Sequence, residues 1–350
     1  MVKIMHISTM IHGLEIRVDK RTELLSIIEI ISDYRKYYPF LLKKYGNKNH
    51  VIEIEKKFRR YQNHKVVQLF NYLTLNYDFP FSVPIQLFLQ LNDDFSFSYL
   101  SDDTFSKRLN KDPKVLELLS LLSDFAEEIK FDTYYFGNEE KYRLFIHNVA
   151  NQLIGLDIVG FMNKYYGITE SKKFIVNLIP WRTYGCYGTC SNDDLYTHLC
   201  CHHESKNEND IYPNDDQIFN YSSFLVHEFS HSFINPLTDK YSLITEDNSI
   251  FDDIWDKMKK LGYRSNKSIL NDHIVRAITL RYLFLQRNDL SYYNKQLETD
   301  ENWGFSYIRN IMNSLEIYEK NRNEYKNMDE FYPLLIQSLV EEKKKNINHR

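Results

Sequence analysis

The segment from Phe224 to Ile234 constrains this chain more than any other, because it is a helix with no solvent side. At 100° per residue, Phe224 and Ile234 share a stripe with His227 and His231, while Leu225, Val226, Phe229 and Phe233 cover the opposite side. A helix apolar on both sides is enclosed by protein. Buried polar groups need partners, yet this helix carries His227, Glu228 and His231. The two histidines are four residues apart, so their imidazoles stand one turn apart on one face and can grip a single divalent ion. Glu228 adjoins the first ligand and points aside, placed to reach a water on that ion. The helix is expected to start near Pro213-Asn214, where Asn214 and Gln217 resemble a capping box. Its expected stop is Asn235-Pro236, because the residue before proline avoids helical angles.

A catalytic zinc takes three protein ligands and one water. A histidine six residues past the second ligand would complete one familiar set, but that position is Leu237. Asp239 follows Pro236 and reads as turn chemistry. A second helix, from Ser268 to about Gln286, offers two adjacent candidates, Asp272 and His273. Its apolar arc holds Ile269, Leu270, Ile274, Ala277, Ile278, Leu280 and Phe284. His273 lies inside that arc and Asp272 at its edge beside Arg276. Periodicity favours His273 as the inward residue. Asp272 has an alternative use, an i,i+4 ion pair with Arg276 that is worth only ~0.3–0.5 kcal/mol if exposed.

All four cysteines, Cys186, Cys190, Cys200 and Cys201, fall in one short stretch with His198, His202 and His203. Such a cluster in a cytosolic chain suggests a second, structural zinc more than disulfides. The spacing matches no standard finger, and a solvent-exposed loop with reduced thiols is the competing reading.

Elsewhere the pattern is mostly helical. A hairpin is expected around Ile4–Ile7 and Leu14–Val18, and Phe174–Ile179 is the clearest strand, closed by Pro180. Helices are expected from Arg21, at Val51–Tyr61, Val66–Tyr77, Pro84–Leu91 and Val115–Ile129, and residues 181–214 read as loop. With 27 Tyr, 23 Phe and only 10 Gly, aromatic rings must supply much of the core volume. No repeat or low-complexity linker marks a boundary. A soft one is placed near 130, between a helical N-terminal region (1–130) and a catalytic region (131–350). Net charge is −4, from 44 basic and 48 acidic residues, so no basic excess points to nucleic acid. Lys343-Lys344-Lys345 reads as a solvated helix end. The start lacks a signal-peptide pattern, and no run nears the about 18 apolar residues of a span, so a cytoplasmic protein without membrane contact is expected.

The stretch from Val226 to Leu237, with His227-Glu228-Phe229-Ser230-His231 at its centre, closely resembles the motif of domain-of-unknown-function family 4932, a group of predicted zinc peptidases. Val18 to Ile28 resembles that family's N-terminal signature, Phe174 to Pro180 with Tyr184-Gly185 its strand and loop, and Asp272 to Ala277 its downstream helix. The resemblance implies a gluzincin-like third ligand four residues before the Arg276-Ala277 pair. The family commonly has Glu there, and this chain has Asp272. It thus favours Asp272 over His273, with Arg276 orienting the carboxylate. The fold expected is α+β and mostly helical, with a zincin-like (gluzincin-like) core and a small sheet packed on the motif helix. Phe174–Ile179 would be the edge strand that pairs with an extended peptide or protein substrate. The expected activity is zinc-dependent peptide hydrolysis with Glu228 as base. The alternative is an inactive zincin-like protein that binds a peptide or partner.

Overall fold

The computed structural model describes residues 6–39, 48–77, 79, 82–97, 112–170, 172–182, 187–191, 194–200, 221–241, 248–287 and 290–348. The chain divides into two compact units, Met1–Gly155 with Lys173–Phe219, and Leu156–Lys172 with Asn220–Arg350. Residue 130 lies inside the first.

The first unit combines a five-stranded mixed sheet with helices. Strands β1 (Ile7–Ile11) and β2 (Leu14–Val18) form a hairpin. His12 (φ 44°) and Gly13 (φ 80°) both take left-handed angles at its turn, as a two-residue hairpin with right-twisted strands requires. Its first strand runs from Ile7, and Ile4, where a strand is expected from the sequence, lies outside the described residues. Helices α1 (Lys20–Ile31), α2 (Tyr34–Tyr37), α3 (Lys48–Phe58), α4 (Lys65–Asn76), α5 (Ser82–Phe88), α6 (Pro113–Glu128), α7 (Phe131–Gly137) and α8 (Glu139–Leu153) follow. The helical expectations hold to within a few residues, since the apolar stripes of these segments face the core.

Three further strands, β3 (Phe174–Ile179), β4 (Tyr187–Ser191) and β5 (Asp194–Cys200), complete the sheet in the order β1-β2-β3-β5-β4. Two expectations change here. β3 is not an edge: β2 and β5 flank it in parallel, all six of its residues are buried, and both its ladders are used. It cannot take an added peptide strand. The segment from 181 is also not all loop, because it holds β4 and β5. Their polar residues hid them. Thr189, Thr197 and His198 are buried, and His198 uses both ring nitrogens within the sheet.

That pairing belongs to a buried polar hub at the start of α1. Asp19 caps the helix, its Oδ1 accepting from Arg21 N (2.9 Å), and its carboxylate also takes Arg17 (2.7 Å) and Arg21 (2.8 Å). Asn177 on β3 accepts from Asp19 N and donates to Thr22 Oγ1 and His198 Nδ1, each at 3.1 Å. His198 then donates through Nε2 to Thr189 Oγ1 at 2.8 Å. The hub ties α1 to four strands, β2 through Arg17, β3 through Asn177, β5 through His198 and β4 through Thr189, so the N-terminal signature acts as a structural hub.

The second unit is helical: α9 (Ile158–Tyr166), α10 (Tyr221–Lys240), α11 (Trp255–Lys260), α12 (Asn266–Tyr282), α13 (Leu290–Trp303), α14 (Ile308–Lys320) and α15 (Met328–Asn348). α12 is its centre, buried on nearly every side from Ile269 to Leu283, and it packs on α10 and α14. Within this unit α10 packs on α12 and α9, and the sheet belongs to the other unit. α10 does not stop at Asn235. It runs through Pro236 to Lys240, with Tyr241 N still donating to Leu237 O at 2.9 Å. Pro236 removes one helical donor, but burial against α12 and a Thr238 hydroxyl donating to Ile234 O (3.1 Å) hold the last turn. The expected Asn214 cap lies outside the described residues. Lys343 is not solvated as expected. It is buried and pairs with Asp253, with Tyr307 Oη at 3.2 Å. No single described helix is long and apolar enough to cross a membrane.

Candidate metal centre

The i,i+4 spacing on α10 places His227 and His231 side by side, ring centroids 5.0 Å apart and planes at 78°. Their Nε2 atoms lie 3.3 Å apart. From α12, Asp272 Oδ1 comes to 3.4 Å of His227 Nε2 and 3.5 Å of His231 Nε2. The three ligand atoms therefore form a nearly equilateral triangle. Bond lengths of ~2.0–2.1 Å and a tetrahedral angle predict edges of about 3.3 Å between zinc ligands. The triangle fits that ion. Among the described residues, His227, His231 and Asp272 are the one group of this kind.

The surrounding groups orient each donor. His231 Nδ1 donates to Asn235 Oδ1 (3.3 Å), which leaves Nε2 as the lone-pair nitrogen. Asp272 Oδ2 accepts from Tyr263 Oη and, at 3.3 Å, from Arg276 Nε. Arg276 is held in turn by Asp300 at 2.7 Å. Burial opposes the Asp272 carboxylate, but the two imidazoles and Arg276 outweigh it and keep its pKa well below the usual range. Burial pushes His227 down to about 4, against the pull of Asp272. His231 faces the same burial, yet Asp272, Glu228 and Asn235 together lift it above its ordinary value. An ionised carboxylate beside two imidazoles is the donor set of a divalent zinc. The His227 and His231 side chains keep 16% and 23% exposure, which leaves a path for solvent. Glu228 is buried on the same helix, close enough for its charge to raise His231.

Helix spacing matters here because Asp is one methylene shorter than Glu. One residue before Asp272, the Asn271 side-chain amide meets the Thr238 hydroxyl on α10, and Tyr332 Oη meets the same hydroxyl at 2.6 Å. This clasp holds α12 against α10 next to Asp272.

A family model, "Domain of unknown function (DUF4932)", matches residues 14–338. The chain belongs to the DUF4932 family. No curated protein and no solved structure matches it.

The other candidate ligands of this DUF4932 chain sit elsewhere. His273 points away from the triangle. Its Nδ1 meets Ile269 O at 2.8 Å, and Phe251, Phe305 and Tyr307 surround its ring. It is fully buried, and burial lowers it to about 4. Asp239 pairs with Lys267. Cys190 pairs in register with Leu195, whereas Cys200 stands opposite Ile179 at the far end of β5. Five residues of strand separate those positions by roughly 16 Å and turn them to opposite faces, so Cys190 and Cys200 cannot share an ion. Cys186, Cys201, His202 and His203 lie outside the described residues.

Tyr263, Asn235, Asp300 and the Thr238–Asn271 clasp escaped sequence reasoning. Asn235 carried a signal, four residues after His231. So did Tyr263, which follows Leu261-Gly262 where α11 ends. Asp300 acts across a fold contact and carried none.

Proposed function

We propose that this DUF4932 protein is a zinc-dependent hydrolase, a metallopeptidase of the His-Glu-x-x-His type with a zincin-like, gluzincin-like ligand set. The observation that carries this reading is the triangle of His227 Nε2, His231 Nε2 and Asp272 Oδ1, with edges of 3.3–3.5 Å. Zinc bound there supplies a water whose pKa falls toward ~7 and a Lewis acid for the substrate carbonyl. His227, His231 and Asp272 hold the ion. Glu228, one residue past the first ligand, takes a proton from the attacking water and returns it to the leaving amine. Arg276 and Asn235 keep Asp272 and His231 aimed through the cycle.

The test is metal analysis of the purified protein together with hydrolysis of a mixed peptide library followed by mass spectrometry, for wild type and Glu228→Gln. The expected result is stoichiometric zinc in both proteins and a loss of hydrolysis of ~10²–10⁴-fold in the variant. Equal turnover in both would remove Glu228 from the mechanism. Stoichiometric zinc in a wild type that cleaves nothing in the library would favour the inactive peptide- or partner-binding alternative.

A further inference from the structure

We propose that Tyr263 is a positioning residue of the metal centre: with Arg276 it occupies Oδ2 of Asp272, so that the carboxylate reaches the ion through Oδ1 alone. This rests on the zinc reading above and adds how the site sets its coordination number. An unrestrained carboxylate has two oxygens and can chelate one cation with both. Here the two oxygens have separate duties. Oδ1 faces both imidazoles, while Oδ2 accepts from Tyr263 Oη and Arg276 Nε.

Both donors are fixed from outside the site. Arg276 is anchored by Asp300, which is 2% exposed and also takes Gln296 Nε2 at 3.2 Å. Its guanidinium lies over the rings of Phe305 (4.2 Å) and Trp303 (5.3 Å). Tyr263 is aimed by the end of α11. Gly262 takes φ +101°, and Tyr263 N returns to Met258 O at 3.1 Å, a Schellman closure. Ser265 then caps α12 through Ser268 N, so two residues of connection hold the phenol beside the first turns of α12. The Tyr263 ring also rests edge-on against Phe305. A carboxylate clamped in this way gives one oxygen, keeps three protein ligands, and leaves the fourth position to solvent. It also disfavours larger cations that use both oxygens of a carboxylate.

The test loads wild type and Tyr263→Phe with Co²⁺ as a spectroscopic probe and measures zinc affinity by chelator competition. Phe keeps the ring and removes only the hydroxyl. Four-coordinate Co²⁺ absorbs strongly in the visible, and higher coordination weakens the band. The expected result for the variant is a weaker cobalt band and zinc binding ~10–100-fold weaker, with apo-protein melting close to wild type. Asp300→Asn, which loosens Arg276, should change the spectrum in the same direction and covers the case in which Tyr263→Phe does not fold. An unchanged cobalt spectrum and zinc affinity would overturn the proposal. A wild type that takes up neither metal would instead overturn the zinc reading itself.

Discussion

Asp272 and His273 are neighbours with opposite fates, and 100° of helix rotation separates them. Asp272 turns its Oδ1 to the two imidazoles of α10, whereas His273 enters an aromatic box and bonds Ile269 O. Replacing each by Ala should therefore separate ligation from packing. Asp272→Ala, like His227→Ala or His231→Ala, is expected to abolish stoichiometric zinc in metal analysis. His273→Ala is expected to keep zinc while lowering stability in urea unfolding by about 1–3 kcal/mol, the range for a buried side chain lost from a packed core. Zinc lost from His273→Ala but retained by Asp272→Ala would reverse the assignment. Periodicity did identify His273 as the inward residue, and the structure agrees. What periodicity lacked was the distinction between facing the core and facing the two histidines, which depends on where α10 lies.

At the scale of elements, the site depends on how closely two helices approach. Thr238 on α10, Asn271 on α12 and Tyr332 on α15 share one hydroxyl, beside Asp272, the proposed third ligand. All three are largely buried, so removing the hydroxyl leaves polar atoms without a partner. Thr238→Val keeps the shape of the side chain and should cost about 1–3 kcal/mol in unfolding experiments. It should also weaken zinc binding, measured by chelator competition, because α12 is freed to drift from the histidines. A variant that loses stability with zinc affinity intact would show that the clasp supports the fold and not the ligand distance. The same helix pair explains why α10 passes Pro236. Local sequence at Asn235-Pro236 signals a stop, but burial against α12 and the Thr238 bond to Ile234 O outweigh one missing donor.

For the whole molecule, the strongest pH dependence expected outside the proposed metal centre comes from the first unit. Burial drives His198 down to about 3, helped by Arg182, so the folded state refuses a proton that the unfolded chain accepts below about pH 6.5. Asp19 acts further down. Burial raises it, but Arg21, His6 and Arg17 outweigh burial and hold it well below 3.8. Both signs agree. In each case the unfolded state binds more protons in acid, so stability is present above the unfolded pKa and falls with pH. For His198 the window runs from 6.5 down to about 3, with a slope of up to about 1.4 kcal/mol per pH unit from one group. Unfolding measured at intervals from pH 7 to 4.5 should be less pH-dependent in His198→Gln than in wild type. Identical slopes in the two proteins would sink this assignment.

The His227-Glu228-x-x-His231 spacing, the all-round apolarity of its helix, the hairpin at Leu14–Val18 and the stripes of the N-terminal helices were readable in the chain alone. Each is carried by residues a few positions apart, and helical or strand periodicity converts such spacings directly into faces. Contacts between segments far apart in sequence decided the rest. β3 became a central strand because β5 pairs with it, and β5 was hidden because its His198 and Thr197 are polar residues that Asn177 and the interior accommodate. The family resemblance pointed to Asp272 with Arg276 behind it, but the approach of Asp272 to the histidines, and the support from Tyr263 and Asp300, came only with the packing of α12 on α10. No spacing within a segment encodes a distance between two helices. That distance is set by the side chains filling the space between them, and it gives the triangle its 3.3–3.5 Å edges.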